Sequence, residues 1–136
     1  MHSLFTSEEL ELDFPKIFGV SSADKPIKMG YNLSLNPFID VQFIDTISNF
    51  DETSEHAAFL ITYLDDDYNC LLIKNKGSSG FFYKRFKNID YLLCSTTEEE
   101  LKEEIIEILS KLNSVSICFA LDEPNQDEIL NFSKLL

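Results

Sequence analysis

Tryptophan is absent from this chain, and histidine occurs only at positions 2 and 56. Any Ser-His or Cys-His scheme would therefore have to use His56, which borders the apolar run AAFLITYL, where a histidine more often serves structure. Bases are scarce as well: 11 Lys and Arg stand against 24 Asp and Glu, a net charge of −13. Binding a polyphosphate depends on neutralising it with Lys and Arg, so nucleic acid and anionic membrane are disfavoured as partners. No apolar run approaches the roughly 18–20 residues that cross a bilayer. The opening MHSLFTSEEL has neither a basic start nor an apolar core followed by small residues, so no secretory signal is expected and the cytoplasm is the expected compartment. Cys70, Cys94 and Cys118 are odd in number, each lies inside an apolar run, and no two are closely spaced. That pattern predicts buried reduced thiols, with no zinc or redox motif.

What is present is enough for one core. A chain of 136 residues, 44% hydrophobic and rich in Phe (12) and Tyr (5), is expected to fold as a single acidic domain over residues 1–136. Its charge is uneven. Residues 1–73 carry a balance of −10, residues 74–91 a balance of +4, and the remainder −7. Such a surface favours a basic partner and speeds encounter with it.

The chain opens with a capping-box spacing at Thr6 and Glu9, and SSADKP (21–26) has loop composition. YNLSL (31–35) and IDVQF (39–43) alternate apolar and polar residues, which predicts two half-buried strands joined at Asn36-Pro37. AAFLITYL and NCLLIK are short and apolar throughout, as buried central strands are. KNKGSSG predicts a turn, GFFYKRF a strand with its bases outward, and DYLLC a further short strand. Thr97 and Glu100 make a capping box for a helix over 97–112, with Leu101, Ile105, Ile108, Leu109 and Leu112 on its buried face and Glu99, Glu103 and Glu107 on its wet one. VSICFAL reads as a strand, and the tail from Pro124 as a helix with Asn125 and Glu128 at capping distance. The expectation is an α+β domain: a mostly antiparallel sheet of five or six strands with helices packed on one face.

The chemical candidates are few. Asp65, Asp66 and Asp67 lack the alternating ligands, glycine and terminal glutamate of a calcium loop. Between two strands, they predict a solvated hairpin tip presenting concentrated negative charge. A metal-dependent hydrolase or nuclease would be built around them with Glu55 and His56, and would need Glu52 or Glu55 to approach the triplet. KGSSG lacks the glycine spacing and the Lys-Ser/Thr of a phosphate loop. Lys84, Arg85 and Lys87 are expected to pair with the molecule's own carboxylates or to edge an interface. No cofactor and no metal is expected, and no reaction is specified.

A compact acidic unit with carboxylate edges at Asp51-Glu52, Glu55 and Asp65-Asp66-Asp67 resembles the immunity proteins of bacterial contact-dependent growth inhibition and related polymorphic toxin systems. Those families share no universal motif, so the resemblance rests on size, charge and these edges. It implies a non-enzymatic cytoplasmic protein that covers the basic cleft of a cognate toxin, a nuclease above all, in place of the substrate's phosphates. The residues this assigns to the partner are Asp51, Glu52, Glu55, Asp65, Asp66, Asp67 and Tyr68. Tyr63, Phe81, Phe82 and Tyr83 are further anchors by residue type. The alternatives are the metal-dependent hydrolase above, a phage-type DNA mimic with the same electrostatics, or a subunit of a larger assembly.

Overall fold

The computed structural model describes residues 16–97, 99–122, 124 and 129–135. The expected capping pairs Thr6–Glu9 and Asn125–Glu128 lie outside those residues. In chain order the elements are β1 (Phe18–Ser22), α1 (Pro26–Ser34), β2 (Ile39–Ser48), β3 (Glu55–Tyr63), β4 (Tyr68–Lys74), a 3₁₀ turn (Lys84–Phe86), β5 (Tyr91–Ser95), α2 (Glu103–Ser110), β6 (Val115–Ala120) and α3 (Ile129–Ser133). The strands form one six-stranded sheet in the order β2-β3-β4-β5-β1-β6, antiparallel at every pairing. The fold is α+β, as the sequence predicts.

β3 and β4 are apolar throughout because both of their faces are covered. On one face Phe59, Ile61, Cys70 and Leu72 meet Met29 and Leu33 of α1 and Leu101, Ile105 and Leu109 from the α2 region. On the other, Ala58, Leu71 and Ile73 meet Phe82, Tyr83 and Ile89 from the connection before β5, and Ile129 and Phe132 of α3. The two longer helices thus share a face, but the short third helix lies with the 75–90 connection on the opposite one, which corrects the expectation that the helices pack on one face. All three cysteines are free. Burial raises each thiol's pKa, that of Cys70 to about 12.

Four local expectations need correcting. YNLSL is the end of α1, begun by Pro26 at its first turn. Tyr31 and Leu35 are four apart, as are Met29 and Leu33, so a five-residue alternation fits a helix as well as a strand. GFFYKRF is no strand, because Asn75, fully buried, folds it inward. The Asn75 side chain accepts from Tyr83 N at 2.8 Å and donates to the carbonyls of Phe86 (2.8 Å) and Ile89 (3.1 Å). The α2 helix starts at Glu103, not at Thr97: the Glu100 carboxylate that should close the capping box accepts from the backbone N–H of Lys16 at 2.7 Å. Strand β1, inside a stretch with no strand signal, fills the gap between β5 and β6. Gly19 permits this, since a Cβ there would lie 2.9 Å from Leu121 Cδ2.

Candidate protein-interaction surface

β3 and β4 meet through a tight connection whose last pair is Tyr63 with Tyr68. Asp67 N–H approaches the Leu64 carbonyl at 3.5 Å, and Asp67 takes a left-handed backbone (φ 51°), which aspartate tolerates better than most residues. Asp65, Asp66 and Asp67 all face solvent from this tip. The sequence predicts that much.

Where the tip lies is a finding of the structure. The stretch Glu99–Glu104, leading into α2, crosses the same end of the sheet. Lys102 Nζ forms an ion pair with Asp66, stands 4.0 Å from Glu104 Oε2 and lies 5.4 Å from the centre of the Tyr63 ring. The Asp66 carboxylate holds the Lys102 ammonium above its ordinary pKa. Burial raises the Tyr63 phenol, with Asp65 and Glu104 adding to the effect. Tyr68 donates its hydroxyl to the Glu100 carbonyl at 3.3 Å and is half-buried, so it ties the two runs together and is no free anchor. Two acidic segments remote in sequence therefore form one surface, with Lys16 and Lys102 among them and Lys111 at its far side beside Glu107. Two shallow hollows lie on this surface, and Lys102 lines the first. One, of about 400 Å³, is lined by Asp66, Asp67, Tyr68, Thr97 and Glu99; the other, of about 360 Å³, by Phe38, Tyr63, Glu104, Glu107 and Ile108. Phe38 and Leu64, at 56% and 53% exposure, add uncovered apolar area beside the carboxylates.

Asp51, Glu52 and Glu55 are elsewhere. They sit at the opposite end of β3, whose nine residues separate the two groups by roughly 26 Å at about 3.3 Å per residue. This loop is fastened from within. Thr53 Oγ1 donates to Asp51 Oδ1 at 2.8 Å and lowers its pKa. Glu55 accepts from Thr46 at 3.4 Å through Oε1 and from Ser78 N through its carbonyl at 2.9 Å. Lys134 Nζ donates to the Ser48 carbonyl at 2.6 Å, and Asn131 Oδ1 accepts from Phe50 N at 2.7 Å. All six assigned carboxylates are exposed; Asp66 pairs with Lys102, Asp51 accepts from Thr53 and Glu55 from Thr46.

The hydrolase arrangement is not assembled. Glu52, Glu55 and His56 lie at the far end from the triplet, and among the described residues no group of three or more His, Cys, Asp or Glu is placed to hold a metal ion. His56 is fully buried against the edge of Phe82. Its Nδ1 is 2.9 Å from the Lys74 carbonyl, which can only accept, so Nδ1 carries the proton and the neutral ring leaves Nε2 without a partner. Burial pushes this imidazole below its ordinary 6.5. In KGSSG the amides of Ser78 and Ser79 bond the Glu55 carbonyl and Ser54 Oγ, which makes it the expected turn. Phe82 and Tyr83 are core residues, correcting their reading as anchors. Arg85 pairs with Asp122 at 3.4 Å, and Lys87 lies 6.0 Å from the Phe81 ring centre.

The signal for the composite surface was present in the sequence as two acidic runs, but nothing local pairs Asp66 with Lys102. Among the described residues no helix is long and apolar enough to cross a membrane. Comparison with known proteins returned no matching family, no similar curated protein and no similar solved structure.

Proposed function

We propose that this protein is an immunity-type inhibitor that captures a cationic toxin domain, a nuclease, by laying its acidic end over the partner's phosphate-binding cleft. The observation that carries this reading is the convergence of Asp65–Asp67 with Glu99–Glu104 around one lysine, beside exposed Phe38 and Leu64. Like charges gathered without matching cations cost the folded chain some repulsion, and a cationic partner relieves it. Complementary charge raises association rates by about 10–10³-fold, which suits an inhibitor that must act before its target does. Phe38 and Leu64 supply the apolar contacts on which affinity depends. Action in the cytoplasm agrees with three free, largely buried thiols. The protein makes and breaks no bond in this role, and it needs no cofactor.

The test is affinity capture from the native cell with the wild-type chain and with the variant Asp65→Asn/Asp67→Asn/Glu99→Gln/Glu104→Gln. The wild type should retain one basic protein of toxin-domain size, and the variant should lose it at physiological salt. Equal capture by both, or a captured partner of acidic character, would overturn the reading. A host restriction enzyme as the captured protein would instead identify a DNA mimic.

A further inference from the structure

β2 is an outer strand of the sheet. The Phe38 carbonyl accepts from Leu64 N at 3.0 Å, so by antiparallel alternation residues 40 and 42 turn their backbone groups toward β3. Ile39, Val41 and Phe43 therefore turn theirs outward, toward an edge that no other strand among the described residues pairs. A shift in register after Phe43, with Asp45 in left-handed backbone (φ 70°), ends this regular stretch.

The face beside that edge is only partly covered by the described residues. Helix α1 packs against both β2 and β3 and approaches β3 closely at one point, where a Cβ at Gly30 would lie 2.7 Å from Phe59 Cε1. This close seat leaves a groove of about 330 Å³ between Ile27 and Tyr31 of α1 and Val41 and Phe43 of β2, floored by Phe59. Ile27 is 90% exposed, Tyr31 63% and Phe43 56%. On the opposite face the edge offers Asp40, exposed and without a base on β2, and Asp45 follows at the bulge. Lys28 of α1 points away, pairing with Asp24 at 3.9 Å.

We infer that the β2 edge from Phe38 to Phe43 receives an extended strand of a cationic protein, with alternate apolar side chains entering the α1–β2 groove and the intervening Lys or Arg residues facing Asp40. Backbone pairing would supply affinity and the groove would supply specificity. Charge selects this occupant. A second copy carries −13 and would bring its own aspartates to the edge, and residues 1–15 of this chain hold four acids and no Lys or Arg. The edge begins at Phe38, beside the acidic end, so one partner can engage both. This inference rests on the reading of a cationic protein partner and adds where its backbone docks.

The experiment uses the full chain and the peptide Lys-Val-Arg-Phe-Lys-Val-Arg, with Lys-Lys-Arg-Arg-Val-Val-Phe as the control of equal composition, read by amide hydrogen exchange. The alternating peptide should slow exchange at Val41 and Phe43 at least tenfold, and the control should not. Phe43→Lys, at an exposed position, should weaken the alternating peptide at least tenfold; Val41→Pro, which removes only an outward N–H, should do the same. No slowing at Val41 overturns the inference. If the control peptide still binds at Asp65–Asp67 in that case, the acidic-capture reading survives alone; if neither peptide binds, both readings fall. Protection at Val41 that rises with protein concentration without peptide would assign the edge to a second copy and also overturn the inference.

Discussion

The two ends of β3 are both acidic, yet they are built for different ends. At the 51–55 loop Asp51 accepts from Thr53 and Glu55 from Thr46, and bonds from Asn131 and Lys134 to the Phe50 and Ser48 backbone fasten the β2–β3 connection to the last helix, while Glu52 stays exposed. At the hairpin tip, Asp65 and Asp67 face solvent, and Lys102 joins Asp66 to Glu104 in the first turn of α2. Sequence composition is nearly the same at both. What differs is the availability of internal hydrogen-bond partners, and this separates charge that holds the fold from charge offered outward.

The largest expected effect tests the outward end. Replacing Asp65, Asp67, Glu99 and Glu104 with their amides should slow association with the captured partner about thirtyfold at low salt, leaving the melting temperature unchanged or slightly raised. Stopped-flow mixing across a salt series checks this, since exposed charges are screened beyond about 10 Å at 0.1 M salt. Three amide replacements, at Asp51, Glu52 and Glu55, should leave the rate nearly untouched. A comparable slowing from both sets would erase the contrast between the ends.

The next effect belongs to the inward end. A Cβ at Gly77 would lie 2.5 Å from His56 Cε1 and Ser54 Oγ and 2.6 Å from the Glu55 carbonyl oxygen, two atoms of which cannot swing aside easily. Gly77→Ala should destabilise the fold by about 1–3 kcal/mol in urea denaturation, with no change in association rate. His56 sharpens the same end through pH. Its folded pKa lies below 6.5 because of burial, so the unfolded chain takes up the proton first. The stability it contributes is complete above pH 6.5 and is lost as pH falls through the folded value. His56→Gln keeps a donor for the Lys74 carbonyl and should flatten that part of the profile; parallel wild-type and variant profiles between pH 7.5 and 5 would contradict it. The smallest effect is that of Lys102→Met, which frees Asp66 and should speed capture by about twofold at low salt.

The core strands were legible because they are short and apolar on both faces, and the aspartate tip because it lies between two of them. Other features escaped for reasons that are physical. The stretch 31–35 carries a period that helix and strand share over so few residues. Asn75 looks like any turn asparagine, yet its side chain organises Tyr83, Phe86 and Ile89, up to 14 residues on. Glu100 has the right spacing to cap a helix, but a backbone N–H 84 residues away claims its carboxylate. In the last two cases a partner remote in sequence displaced the local one.

The sequence by itself determined the charge, the α+β class, the buried central strands and the carboxylate tip, since these follow from composition and from periods of two or four residues. Only the tertiary structure decided which acidic runs meet, which are fastened inward, and which sheet edge lies open beside an apolar groove. Those outcomes depend on strand order and on contacts such as Asp66 with Lys102, for which sequence spacing carries no signal.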